Sequence, residues 1–94
     1  MRTTKDMDYI YNIDGQEILI EMRQKTARSE VIQQYVDCRK SKKMTQEELA
    51  KRAGISRPNV SRFESGNYNP SLEMMVRLAA ALDMKVSVKL ESNG

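Results

Sequence analysis

Apolar and polar positions follow three successive regimes along the 94-residue chain. From Asp8 to Met22, β-branched and aromatic residues flank the dipeptide Asp14-Gly15. That dipeptide suits the positive φ angles of a two-residue turn, which predicts a β-hairpin. Ile18, Leu19 and Met22 also fall at helical spacing, so the second arm is equally open to a short helix. From Ser29 the pattern is helical. Ile32, Tyr35, Val36 and Arg39 share one face, Ser29 is placed to cap the first turn, and the helix is expected to run to about Lys42.

The next signals are local and specific. Thr45 at the N-cap with Glu48 three positions on makes a capping box, and Met44 against Leu49 makes the accompanying hydrophobic staple, so a helix starts at Gln46. It stops at Gly54, which accepts the left-handed conformation. Ser56 can cap a second helix from Arg57 to Ser65, with Pro58 tolerated in its first turn and Ile55 stapling to Val60, and Gly66 closes it. After the loop Asn67 to Pro70, Ser71 caps a last helix whose apolar positions Leu72, Met75, Val76, Leu78, Ala79 and Leu82 are expected to face the core. From Met84 to Leu90 the period shortens to two. Met84, Val86, Val88 and Leu90 alternate with Lys85, Ser87 and Lys89, which predicts a strand with one face to bury. Val60, Phe63, Leu49, Ala50, Ala53, Ile55, Leu78 and Leu82 are core by spacing.

Composition narrows what such a chain can do. At 94 residues and 39% hydrophobic it is one small domain, which buries roughly 60 to 68% of its unfolded surface and gains from a partner subunit. No apolar run approaches the roughly 18 residues of a membrane span, no leader peptide is visible, and the single Cys38 cannot form an intrachain disulfide. A soluble protein of the reducing cytoplasm with no membrane partner is expected, and Cys38 reads as a small helix residue without redox function. With no histidine, one cysteine and no clustered carboxylates, the usual metal sites and nucleophile pairs cannot be assembled within the chain. No enzyme activity and no cofactor are expected.

Charge is unevenly placed. Residues 1–22 set Arg2 and Lys5 against five carboxylates, whereas residues 39–62 set eight Lys and Arg against Glu47 and Glu48 only. Focused positive charge of this kind points to a polyanion partner, although a solvated helix face gives the same pattern.

Two short helices joined by a tight turn at Gly54 form a helix-turn-helix unit, whose second helix enters the DNA major groove. Residues 29–83 resemble the helix-turn-helix family of phage Cro and repressor proteins, also called the xenobiotic-response-element family. The residues that carry the resemblance are Thr45 to Ala50, Ala53 to Ser56, Val60 to Gly66, and Asn69 to Glu73. The expected fold is therefore mainly α, a lambda-repressor-like bundle of about four helices over 29–83. Residues 1–28 are expected to form an acidic extension, and residues 84–94 a C-terminal strand and tail in which Val86, Val88 and Leu90 serve dimerisation, the alternative being that the strand packs against the chain's own head.

The resemblance implies roles residue by residue. Base edges are read by Arg57, Pro58, Asn59, Ser61 and Arg62. An arginine can donate two hydrogen bonds to guanine O6 and N7, although either arginine could instead hold only phosphate. Asn59 suits adenine, and Pro58 can offer only apolar contact. Gln46 matches the position that grips a phosphate, reinforced by the free N–H groups of its helix turn; the alternative is a solvated helix residue. Thr45, Lys42, Lys43, Ser65 and Asn67 are further phosphate candidates, and the uncharged loop Asn67-Tyr68-Asn69 implies a weaker grip there. Arg39 and Glu64 match residues that form a structural, semi-buried salt bridge.

Three functions follow. The first is a repressor that binds double-stranded operator DNA of palindromic form as a homodimer. The second is an antitoxin of a toxin–antitoxin module, in which the acidic, apolar head neutralises a toxin protein while the same fold represses its own operon. The third is an interaction module, or an enzyme, with little DNA-binding role, against which the absent histidine and the basic helix argue.

Overall fold

The computed structural model describes residues 14–92. It contains four helices among them: α1 (Asp14–Ser41), α2 (Gln46–Ala53), α3 (Arg57–Ser65) and α4 (Leu72–Ala81). The chain divides into two compact units, Met1–Val31 and Ile32–Gly94.

In the first unit the described residues are all helical, which corrects the hairpin expectation. Ile18 to Met22, its second arm, is part of α1, and the first arm, residues 8–13, lies outside the described residues. Apart from Ile18 and Ile20, residues 16–25 are good helix formers, and Glu21 precedes Lys25 by four positions, the favourable order for an ion pair along a helix. Once a helix exists, each added residue contributes one further hydrogen bond, so extension prevails over a new turn. Ser29 is consequently an interior helix residue, not a cap. Ile18, Leu19, Ile20 and Met22 are all exposed.

The second unit holds the core. Ile32, Met44, Leu49, Ala50, Ala53, Val60, Phe63, Leu78, Ala81 and Leu82 form one buried cluster, with Tyr35, Val36, Ile55 and Tyr68 packed against it half-buried. α2 lies at the centre, in contact with both α3 and α4. The helix ends follow the local signals. Glu48 N–H donates to Thr45 Oγ1 at 3.0 Å while Thr45 N–H donates to Glu48 Oε1 at 2.8 Å, the reciprocal capping box. Gly54, at φ 72°, ends α2 in the left-handed conformation that glycine adopts without steric cost. Ser56 and Ser71 accept from the N–H groups of Asn59 and Met74 and so start α3 and α4.

Two arginines cross between helix ends. Arg77 of α4 donates to the Ala53 carbonyl at 3.2 Å and Arg52 of α2 donates to the Ala81 carbonyl at 3.4 Å. Each satisfies a carbonyl that its own helix end leaves unpaired and adds positive charge at a negative dipole end.

Two further expectations are corrected. Leu72 and Val76 are 61% and 51% exposed and do not face the core. The buried stripe of α4 runs through Met75, Leu78 and Leu82, and its second flank is taken by Met74 and Ala81, which leaves Leu72 and Val76 on the solvent flank. Met84 to Leu90 is not a strand: no strand is present among the described residues, and Met84, Val88 and Leu90 are exposed. An alternating sequence becomes a strand only against a second edge, and this unit offers none.

Candidate nucleic-acid interface

α3 is anchored by one face and displays the other. Val60 and Phe63 are fully buried, while Arg57, Pro58, Ser61, Arg62 and Ser65 are exposed and Asn59 is half-buried. The first turn of α3 carries no acidic residue, and Pro58 sits at its start where no N–H is required. No carboxylate pairs with Arg57 among the described residues. The N-terminal end of α3 thus places an unneutralised guanidinium at the positive end of the helix dipole, an arrangement that attracts anions.

A single carboxylate sets the position of that helix. Glu64 accepts from Arg39 Nε at 2.7 Å and Nη2 at 3.0 Å, and from Gln46 Nε2 at 2.9 Å. Arg39 Nη1 also donates to the Met44 carbonyl at 2.8 Å. The side chains of Arg39 and Glu64 are only 11% and 8% exposed. This network ties α1, the α1–α2 turn, the start of α2 and the end of α3 to one group. Beside it the Tyr35 hydroxyl donates to the Met75 carbonyl at 2.8 Å, and its ring meets Phe63 edge-on at 5.0 Å between centroids. Burial pushes the Tyr35 hydroxyl above its ordinary range.

The phosphate candidates are placed differently from one another. Gln46 spends one Nε2 proton on Glu64, which orients its amide and leaves the second proton to donate. Thr45 Oγ1 is occupied as the cap of α2. Lys42 and Lys43 are exposed in the turn before α2 and line a shallow hollow with Lys51 and Arg52. The Ser65 hydroxyl donates to the Arg62 carbonyl at 2.7 Å and accepts from Asn67 N–H at 3.3 Å, so both residues are bound into the exit of α3. Among the described residues no group of three or more His, Cys, Asp or Glu could hold a metal ion, and no helix is long and apolar enough to cross a membrane.

Sequence reasoning overlooked Tyr68. Its ring lies 5.8 Å from the Arg62 guanidinium carbon, a cation–π distance. The two residues are six apart and outside one helix, so no periodicity connects them.

A profile of the helix-turn-helix family matches residues 37–88, which cover α2, α3 and α4. An uncharacterised HTH-type transcriptional regulator of Archaeoglobus fulgidus is 46% identical over 43 residues, 46% of this chain and 61% of the relative. One of Bacillus subtilis is 36% identical over 58 residues, 60% of this chain and 50% of the relative. The immunity repressor protein of Bacillus phage phi105 is 43% identical over 49 residues, 52% of this chain and 34% of the repressor. The chain spans less than two thirds of the length of each. Among solved structures, a chain of a toxin–antitoxin module from Streptococcus pneumoniae shares the fold at a TM-score of 0.60 and 22% identity, covering 88% of this chain and 85% of that one. Since the profile takes in more than half of the residues, including the capped α2, the Gly54 turn and all of α3, the chain belongs to the helix-turn-helix family.

Proposed function

We propose that the protein is a sequence-specific transcriptional repressor of the cytoplasm that binds a palindromic operator as a homodimer and lays α3 in the major groove. The division of α3 carries this reading: Val60 and Phe63 hold the helix, while Arg57, Pro58, Ser61 and Arg62 face outward without an acidic neighbour in the first turn. Arg57 reads guanine, Asn59, Ser61 and Arg62 complete the contact with base edges, and Pro58 offers apolar contact. Gln46, with its amide oriented by Glu64, grips a phosphate at the start of α2, where Thr45, Lys42 and Lys43 flank it and Ser65 and Asn67 lie at the exit of α3. One short helix touches few base pairs, so two half-sites about one helical turn apart are needed for specificity.

The exposed Ile18, Leu19, Ile20 and Met22 favour a more specific version, an autoregulating antitoxin whose residues 1–28 bind a toxin protein. Ile18, Leu19 and Met22 lie on one side of the helix among charged residues, an exposed apolar group of the protein-binding kind, and the likeness to a chain of a toxin–antitoxin module supports the same reading. A gene beside this one whose product is toxic alone and harmless on co-expression supports the antitoxin; an isolated or prophage setting supports the plain repressor.

Binding tests the repressor reading. Arg57→Ala should weaken binding to a duplex selected by the wild-type protein from a randomised pool by roughly 1–3 kcal/mol and leave a scrambled duplex little changed. Equal loss on both duplexes makes Arg57 a phosphate contact. Failure of the wild-type chain to select any sequence favours the interaction module instead.

A further inference from the structure

We propose that Tyr68 is a positioning residue for recognition: its ring holds the Arg62 guanidinium ready at the outward face of α3. The inference rests on the reading of Arg62 as a DNA contact. Arg62 is exposed, and among the described residues no carboxylate pairs with it. What it does have is the face of Tyr68, with the guanidinium carbon 5.8 Å from the ring centroid. The choice of partner matters chemically. A carboxylate would hold the cation by consuming N–H donors, whereas a ring holds it through its quadrupole and leaves all five donors for a base edge or phosphate.

A platform is useful only if it is itself fixed, and Tyr68 is. It is half-buried against the hydrophobic core. The segment before it is bound back to α3 by two hydrogen bonds, Gly66 N–H to the Phe63 carbonyl at 3.3 Å and Asn67 N–H to Ser65 Oγ at 3.3 Å, and that hydroxyl is itself held by donating to the Arg62 carbonyl at 2.7 Å. Gly66 makes the reversal at φ 76°. The loop 66–70 has no cation of its own. It takes part in recognition by orienting a cation of the helix before it. A long side chain that must be ordered on binding weakens a complex, and one ordered beforehand does not.

Binding to a duplex selected from a randomised pool by the wild-type protein, and to single-base-pair variants of it, tests the inference. Tyr68→Leu should weaken the selected duplex about two- to fivefold and blunt discrimination at the base pair that Arg62→Ala affects, and Tyr68→Phe should restore both. In an Arg62→Ala background Tyr68→Leu should cost nothing more. Tyr68→Met, which keeps apolar bulk against the core, should behave as Tyr68→Leu does, and equal melting temperatures separate positioning from folding. Unchanged binding in Tyr68→Leu and Tyr68→Met, or the same loss in the Arg62→Ala background, overturns the role of Tyr68. Arg62→Ala without effect overturns the reading of Arg62 as a DNA contact and the inference with it.

Discussion

Glu64 is the residue on which three helices depend, because its carboxylate accepts from Arg39 of α1 and Gln46 of α2 while it belongs to α3. With both charges nearly excluded from water, each is tolerable only because the other is there. Glu64→Ala should therefore cost about 3–5 kcal/mol in urea unfolding, and replacing both partners by methionine should cost clearly less than the sum of the single changes. Gln46→Ala removes one hydrogen bond to Glu64 and should cost only about 1 kcal/mol of stability, yet weaken selected and scrambled duplexes alike through a lost phosphate contact. Tyr35 supplies a pH dependence with a definite sign. Its hydroxyl titrates above the unfolded value of 10.0, so between the two values the folded chain keeps a proton that the unfolded chain has released. The stabilising contribution is complete below pH 10.0 and is lost as pH rises through the folded value. Tyr35→Phe should lose the hydrogen bond to Met75 and, in denaturation measured from neutral to alkaline pH, show a shallower decline than the wild type.

At the scale of the element, two helix ends use residues that pay for a left-handed backbone. Lys43, at φ 54°, follows α1 and lets Met44 N–H reach the Arg39 carbonyl at 3.1 Å; Asp83, at φ 59°, follows α4 and lets Met84 N–H reach the Ala79 carbonyl at 2.8 Å. Glycine adopts this conformation freely, so Asp83→Gly should raise stability by about 0.5–1 kcal/mol, read as a higher melting temperature. Lys43→Gly should raise it similarly while weakening DNA binding, a division that a purely structural lysine would not produce. The physics of such ends explains what was legible. Thr45 with Glu48, Gly54, Ser56, Pro58, Gly66 and Ser71 each act within about four residues, so α2, α3 and the start of α4 could be placed from the chain alone. The N-terminal start of α1 could not, because Asp14-Gly15 is a sound turn signal whose outcome depends on whether a second arm pairs with it, and that is not a local property. Leu72 and Val76 fit the helical stripe of α4 and yet face water, because Met74 and Ala81 take the other flank once α2 is in place. The bounds of α3 and its buried Val60 and Phe63 were legible from capping and spacing and its recognition residues came from the family resemblance, whereas the hold of Tyr68 on Arg62 depends on where the loop after Gly66 returns.

The buried core, the Glu64 network and every candidate DNA contact belong to the unit Ile32–Gly94. A chain beginning at Lys25 should accordingly fold and still bind the selected duplex, and if it folds without binding, residues before Lys25 belong to the DNA-binding machinery. Met84 to Leu90 poses the opposite case, a segment that forms no strand among the described residues and yet carries large exposed apolar side chains. Met84, Val88 and Leu90 are exposed, Leu90 at 94%, although their alternation with Lys85, Ser87 and Lys89 is that of a strand with one apolar face. Exposed apolar side chains of this kind gain from burial against another chain, and a second copy related by a two-fold axis supplies the same side chains in return. Such pairing would bury Val86, Val88 and Leu90 and enlarge a core that is small in one copy. It would also fix the separation of the two α3 helices, on which half-site spacing depends. The mass in solution of the full chain and of a chain ending at Asp83 distinguishes the cases. The full chain should be a dimer at micromolar concentration, and the shortened chain should be a folded monomer with weakened binding to a palindromic duplex and unchanged binding to a single half-site. A shortened chain that stays dimeric would place the contact elsewhere, with the exposed Leu72 and Val76 of α4 the next surface to test.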